Sequence, residues 1–171
     1  MKKIFYVAAV AVALTSCQKQ AKIGFVDNGV VINDYQEKKD VETKYQDKEA
    51  AFRRKADSIG QAFQMEVQEK QAEAQKASQV KAQELMAGLQ KKQQQLQQQM
   101  QMEQQMMQQE FQNEIDSVIN HVKSFVKDYG KTNGYTYILG TSEAAATVMY
   151  GVEEDDLTKT ITEALNEAYK K

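Results

Sequence analysis

The chain has no proline and no tryptophan, one cysteine, one histidine and only eight glycines among 171 residues. Without proline, and with glutamine, lysine, glutamate and alanine in abundance, long uninterrupted helix is favoured over loops. A lone cysteine excludes an intramolecular disulfide framework. A lone histidine, His121, with no second histidine or spare thiol beside it, excludes the usual metal sets and nucleophile–base pairs. No glycine-rich loop suited to cradling a phosphate is present, since Gly140 and Gly151 are isolated and suit strand ends. Aromatic residues make up 8% of the chain and the mean hydropathy is -0.67, which argues against a large buried core. The formal charge of -2 gives no electrostatic footprint for nucleic acid.

What is present begins with "MKKIFYVAAVAVALTSC". Lys2 and Lys3 make a basic start, 4–14 an apolar run too short to span a bilayer, and Thr15 and Ser16 a small pair before the cysteine. This order predicts a signal peptide over 1–16. Leu14-Thr15-Ser16-Cys17 resembles the bacterial lipobox, which implies lipidation of Cys17, a short lipidated leader over 17–21 and a membrane-anchored envelope protein of a Gram-negative cell. An ordinary signal peptide with an incidental cysteine is the alternative. Three acyl chains would exceed the roughly two needed for stable anchoring.

"KIGFVDNGVVINDY" alternates Ile23 and Phe25 with Gly24 and Val26, which predicts a strand, and Asp27-Asn28-Gly29 supplies cap or turn chemistry before a helix. From Gln36 to Tyr129 there are only two glycines, Gly60 and Gly88, and the apolar residues recur at helical spacing. Val41, Tyr45, Phe52, Ile59, Phe63 and Val67 form a sparse stripe. Ile115, Val118, Ile119, Val122, Phe125, Val126 and Tyr129 keep a tighter three–four rhythm. Between them the stripe thins to Leu85, Leu89, Leu96, Met100 and Met107. Folding this segment into a hairpin lets the stripes cover each other, with Lys76-Ala77-Ser78-Gln79 at the tip, Ser78 capping the returning helix and Gly88 the alternative turn. Each helix would be about 60 to 80 Å long. After Lys131-Thr132-Asn133-Gly134, "YTYILG" and "AAATVMYG" read as two strands pairing across Thr141-Ser142-Glu143, all in one sheet with the first strand. Asp155 or Asp156 caps a closing helix with Leu157, Ile161, Leu165 and Tyr169 on one face. The fold class is therefore α+β: a β-rich body from 22–35 and 131–171, and a long protruding helical hairpin over 36–130. So small a sheet needs cover for its hydrophobic faces, which predicts oligomerisation through Ile23, Phe25, Val26, Tyr137, Ile138, Val148 and Tyr150.

The order of signal, strand, glutamine- and lysine-rich hairpin, "YTYILGTSEAAATVMYG" and "DLTKTITEALNEAY" resembles the Skp/OmpH family of periplasmic chaperones over essentially the whole mature chain. The resemblance rests on architecture and order more than on any motif. It implies a homotrimer with a central barrel-like body and three helical arms around a cavity, holding unfolded outer-membrane proteins without ATP. It implies no cofactor, no metal and no catalytic residue. The chain departs from the basic arms of well-known members in being slightly acidic, and its lipobox suggests a tethered version.

The stretch 90–112 holds thirteen glutamines and four methionines. Glutamine keeps a helix soluble without fixing a charge, and methionine adapts to many partner shapes, so such a surface can hold an unfolded chain weakly at many places. The candidate client-binding residues are Met65, Met86, Met100, Met102, Met106 and Met107. Met100 and Met107, with Leu96 and Phe111, have a second reading as lining of the inter-helix seam, whereas Met102 and Met106 fall off that stripe. A disordered prion-like tract is a third reading, opposed by the absence of glycine, proline and serine. His121 reads as a polar residue on a helix shoulder, and Glu153, Glu154, Asp155 and Asp156 as a solvated helix N-terminus rather than a calcium loop. The competing functional class is a structural coiled-coil lipoprotein, a spacer or adaptor, which should keep a dense apolar seam along its whole length.

Overall fold

The computed structural model describes residues 20–170, so the signal segment and Cys17 lie outside the described residues. Strand β1 (Ile23–Asp27) turns Gly24 and Val26 inward, as its alternation requires. Gly24 lets the strand approach closely, since a Cβ there would come within 2.6 Å of the end of the buried Leu157 side chain and force it to move. Helix α1 (Asn28–Asp34) follows at once. Its start is capped by Asp27, whose Oδ1 accepts the Val30 N–H at 3.0 Å, the cap chemistry expected of Asp27-Asn28-Gly29. Tyr35, with extended backbone, separates α1 from helix α2 (Gln36–Ala74), and helix α3 runs unbroken over Gln79–Thr132. At 1.5 Å per residue these two are about 58 and 81 Å long.

The turn spans 75–78, one residue ahead of the expected tip at 76–79, and Gln79 already belongs to the returning helix. Ser78 starts α3: its carbonyl accepts the Ala82 N–H at 2.9 Å and its hydroxyl the Lys81 N–H at 3.4 Å. Gly88 lies inside α3, with open space where a Cβ would be. The far end of α3 closes with a Schellman motif. Gly134, in the left-handed region at φ 71°, donates to the Lys131 carbonyl, and Tyr135 donates to the Gly130 carbonyl.

Strand β2 (Tyr137–Thr141) pairs with β1 in parallel, Ile23 opposite Tyr137 through Asp27 opposite Thr141. Parallel strands require a long crossover, here the two long helices themselves. The expected second late strand is absent: among the described residues the sheet has two strands, and "AAATVMYG" forms bends with Met149 and Tyr150 almost fully exposed. Three alanines offer a strand little to bury. Ser142 and Ala145 instead close a local turn by exchanging backbone hydrogen bonds at 3.2 Å, which uses the groups an antiparallel partner would need. The other edge of β1 is met by the closing segment, where the Leu157 N–H donates to the Phe25 carbonyl at 2.8 Å. Glu153–Asp155 form one 3-10 turn, and Asp156 Oδ1 accepts the Thr158 N–H at 2.9 Å to start helix α4 (Thr158–Tyr169). Thr158 also accepts the Asp27 N–H at 2.9 Å, tying α4 to the end of β1.

The described chain divides into two units. One comprises the residues up to Val31 together with Val122–Tyr169, and its interior is built on Val26, Val31, Val122, Leu157, Ile161 and Leu165. Of the apolar face expected on α4, only Tyr169 is exposed. The other unit, Ile32–His121, is an antiparallel helical hairpin. Val41, Tyr45 and Val118 are buried in it, while Phe52, Ile59, Phe63, Leu85, Leu96 and Met107 nearer the turn are only half-buried.

Candidate functional site: two unlike flanks of the hairpin

Within the Ile32–His121 unit the seam is firmest where Tyr45 meets the edge of Phe111, ring centroids 5.0 Å apart. One flank of the seam carries a ladder of ion pairs. Lys44 meets Glu114 at 2.6 Å, Lys48 meets Glu110 at 2.8 Å, Lys55 meets Glu103 at 2.6 Å, Lys92 meets Glu66, and His121 Nδ1 faces the Glu37 carboxylate at 3.0 Å. In every pair the two residues are equally far in sequence from position 79. One register therefore satisfies all five. A slip of α3 by one turn would set Lys48 against Met106, Lys55 against Gln99 and Glu66 against Gly88. Exposed pairs contribute only about 0.2–1 kcal/mol each, so the ladder selects the register more than it supplies stability.

The ladder shifts titrations where it meets the seam. Burial pushes the Tyr45 hydroxyl above its ordinary value, reinforced by its 2.9 Å hydrogen bond to Glu114. The hydrogen bond from Lys44 holds the Glu114 carboxyl below the ordinary range against partial burial, and the bond to Glu110 raises Lys48. His121, expected on a helix shoulder, is exposed there with Glu37 as its partner. Among the described residues no group of histidine, cysteine and acids could hold a metal ion.

The other flank is open. Counted from Met107 at about 100° per residue, Glu103, Glu110 and Glu114 fall on one side and Gln93, Gln97, Gln104 and Gln108 on the other. On that side a cleft of 470 Å³ has an apolar floor of Phe52, Ile59, Phe63, Leu96 and Met100 beneath Gln93, Gln97, Gln101 and Gln104. A second space, of 700 Å³, continues along the same flank between Tyr45, Phe52, Met107 and Phe111, bordered by Gln104 and Gln108. The α2 wall is low at Gly60, where no atom lies within 4 Å of the place a Cβ would take.

The six methionines divide accordingly. Met100 and Met107 are half-buried floor residues, as their seam reading had it, whereas Met65, Met102 and Met106 are 57–68% exposed and Met86 is 38% exposed. Met106 lies over the ladder flank beside Ala51 and Lys55. In the other unit Ile23, Tyr137 and Tyr150 are exposed, Phe25, Ile138 and Val148 are half-buried, and Val26 is buried within its own unit at 2% exposure. Leu139 and Met149 join the exposed apolar set without having been singled out. The ladder and the glutamine wall also went unread, although the mirror placement of lysine and glutamate about position 79 is visible in the sequence once a hairpin is assumed.

Comparison with known proteins agrees with this architecture. No curated protein sequence matches the chain. Among solved structures, an OmpH-like protein of Caulobacter crescentus CB15, described as a candidate outer membrane chaperone, superposes with a TM-score of 0.74. The match covers 89% of this chain and 88% of that one at 14% identity, a likeness of fold. The family model described as outer membrane protein (OmpH-like) matches residues 22–165, nearly all of the chain from β1 to the last buried residue of α4, and on that match the chain belongs to the OmpH-like family.

Proposed function

We propose that this chain is an ATP-independent holdase of the Gram-negative cell envelope, which keeps unfolded outer-membrane proteins from aggregating until they insert. On this reading a member of the OmpH-like family acts by binding rather than by catalysis. The observation that carries the holdase reading is the surface of the hairpin: Met102 and Met106 are more than half exposed within the glutamine-rich stretch of α3, and Met65 is more than half exposed on the charged, polar α2. Burying an apolar side chain fully is worth about 1.5–3 kcal/mol. Transient contact recovers part of that at each methionine, and many such contacts retain an unfolded chain without fixing its shape. A rigid spacer would instead bury its apolar residues along the whole seam, and here burial fades toward the turn.

The reading includes a homotrimer, in which exposed Ile23, Tyr137 and Tyr150 meet their counterparts, and a lipid at Cys17 that tethers the assembly to a membrane. No helix among the described residues is long and apolar enough to cross one; the lipid at Cys17 supplies the attachment in this reading. The decisive experiment is light scattering from an unfolded β-barrel protein diluted with and without this protein. Suppression by the wild type, reduced when Met65, Met102 and Met106 are all changed to glutamine with helix content retained, is the expected result. A wild type that leaves scattering unchanged overturns the holdase.

A further inference from the structure

On the ion-pair ladder flank of the hairpin a space of 320 Å³ is walled by the paired charges of Lys48, Lys55, Glu103 and Glu110. The flank opposite offers the larger spaces, 470 and 700 Å³, and an α3 wall made of amides. Its floor is apolar, through Phe52, Ile59, Phe63, Leu96 and Met100. Its wall is a row of side-chain amides at 93, 97, 101, 104 and 108, steps of three or four residues. At 1.5 Å per residue these amides recur every 4.5–6 Å or so along about 22 Å. The backbone groups on one edge of an extended chain recur every two residues, about 6.7 Å. A glutamine side chain, with three rotatable bonds and both donor and acceptor, takes up the difference. Spaces of 470 and 700 Å³ lie within the roughly 300–1,000 Å³ range of ligand sites.

We propose that this groove binds an extended segment of about seven residues in which apolar and polar side chains alternate, the pattern of a transmembrane β-barrel strand before it has paired. The segment lies along α3 with its apolar side chains on the Phe52–Ile59–Phe63 floor and its polar side chains toward water. The amides of Gln93, Gln97, Gln101 and Gln104 exchange hydrogen bonds with its unpaired backbone. A helical ligand would leave this wall idle, because a helix already satisfies its own backbone groups. An extended strand brings a free N–H or C=O at each residue. The low wall at Gly60 admits the strand from the α2 side. This names the form in which the client of the proposed holdase is held, and rests on that reading for its biological meaning.

The test is fluorescence anisotropy of two labelled peptides of equal composition, flanked by lysines for solubility. One alternates leucine or valine with threonine or serine; the other has its apolar residues in one block. The alternating peptide should bind at least tenfold more tightly. Gly60→Trp, which fills the entrance, should weaken that binding at least tenfold, whereas Ala51→Trp on the ladder flank should leave it unchanged. Should circular dichroism find Gly60→Trp poorly folded, the double change Gln97→Leu with Gln101→Leu removes two amides while keeping good helix formers, and it should weaken the alternating peptide alone. Equal binding of the two peptides, no binding to the wild type, or equal effects of Gly60→Trp and Ala51→Trp would overturn the groove. Light scattering run in parallel separates the two readings. Suppression that survives while the peptides fail leaves the holdase and removes the groove; a wild type that fails to suppress removes the holdase while the peptides still decide the groove.

Discussion

Glycine shows how one residue type takes opposite roles at different positions. Gly134 adopts φ 71° to complete the Schellman end of α3, a conformation costing an alanine about 1–2 kcal/mol. Gly88 sits within α3 with open space around it, where alanine gains about 0.5–1 kcal/mol of helix propensity. Urea unfolding should therefore find Gly134→Ala less stable and Gly88→Ala more stable than wild type. A second residue-scale expectation concerns acid. Because Lys44 holds the Glu114 carboxyl below its ordinary 4.5, the contact contributes its full stability above that value and loses it as the pH falls through the depressed one. A Glu114→Gln variant should be less stable than wild type at neutral pH, and the difference should shrink as the pH falls below 4.5. A difference independent of pH in thermal melts would rule out this contact as its source.

The hairpin elements are matched to each other by one register, and that constrains how they can be shortened. Deleting 56–66 together with 92–102 removes eleven residues, about three turns, from each helix. Lys55 remains opposite Glu103, and the seam keeps its phase. Deleting 56–66 alone leaves α3 with eleven unmatched residues and breaks the pairing of Lys92 with Glu66. Circular dichroism melts should place the matched deletion near wild type per residue and the one-sided deletion clearly below it. Because the matched deletion also removes Ile59, Phe63, Leu96 and Met100, it should reduce suppression of aggregation as well. Equal stability of the two deletions would mean that the ladder does not set the register.

At the scale of the whole molecule, a two-stranded parallel sheet is marginal on its own, and the unit that holds it leaves Tyr137, Met149 and Tyr150 61–87% exposed. Charged substitutions at Tyr137 and Tyr150 touch side chains that do little in the single chain. Against the proposed trimer, the Tyr137→Asp, Tyr150→Asp variant should thus keep its helix content while sedimenting as a smaller species. Ile138→Asp is different: the Ile138 side chain packs 3.2 Å from where a Cβ on Gly130 would lie, so a charge there should abolish oligomer and fold together. A wild type that sediments as a folded monomer at micromolar concentration would rule out the trimer.

The α-helices were legible from local signals, because helices are built from local information: the three–four stripe, the cap at Asp27, the start at Ser78, the stop at Gly134 and the absence of proline. The sequence also located β1 and β2, whose β-branched and aromatic runs are bounded by turn residues. What it could not decide was which strands pair. "AAATVMYG" has a strand's outline, but pairing depends on what faces it in space: β1 pairs with β2 as expected of one sheet, while this run stays outside it. The candidate site divides in the same way. That Met102 and Met106 lie off the stripe was legible from periodicity. That the glutamines of 93–108 form one wall of a groove, with lysine–glutamate pairs across the seam, was decided only when α2 and α3 were brought side by side in a single register. Composition states which groups are present; only the fold sets what faces them.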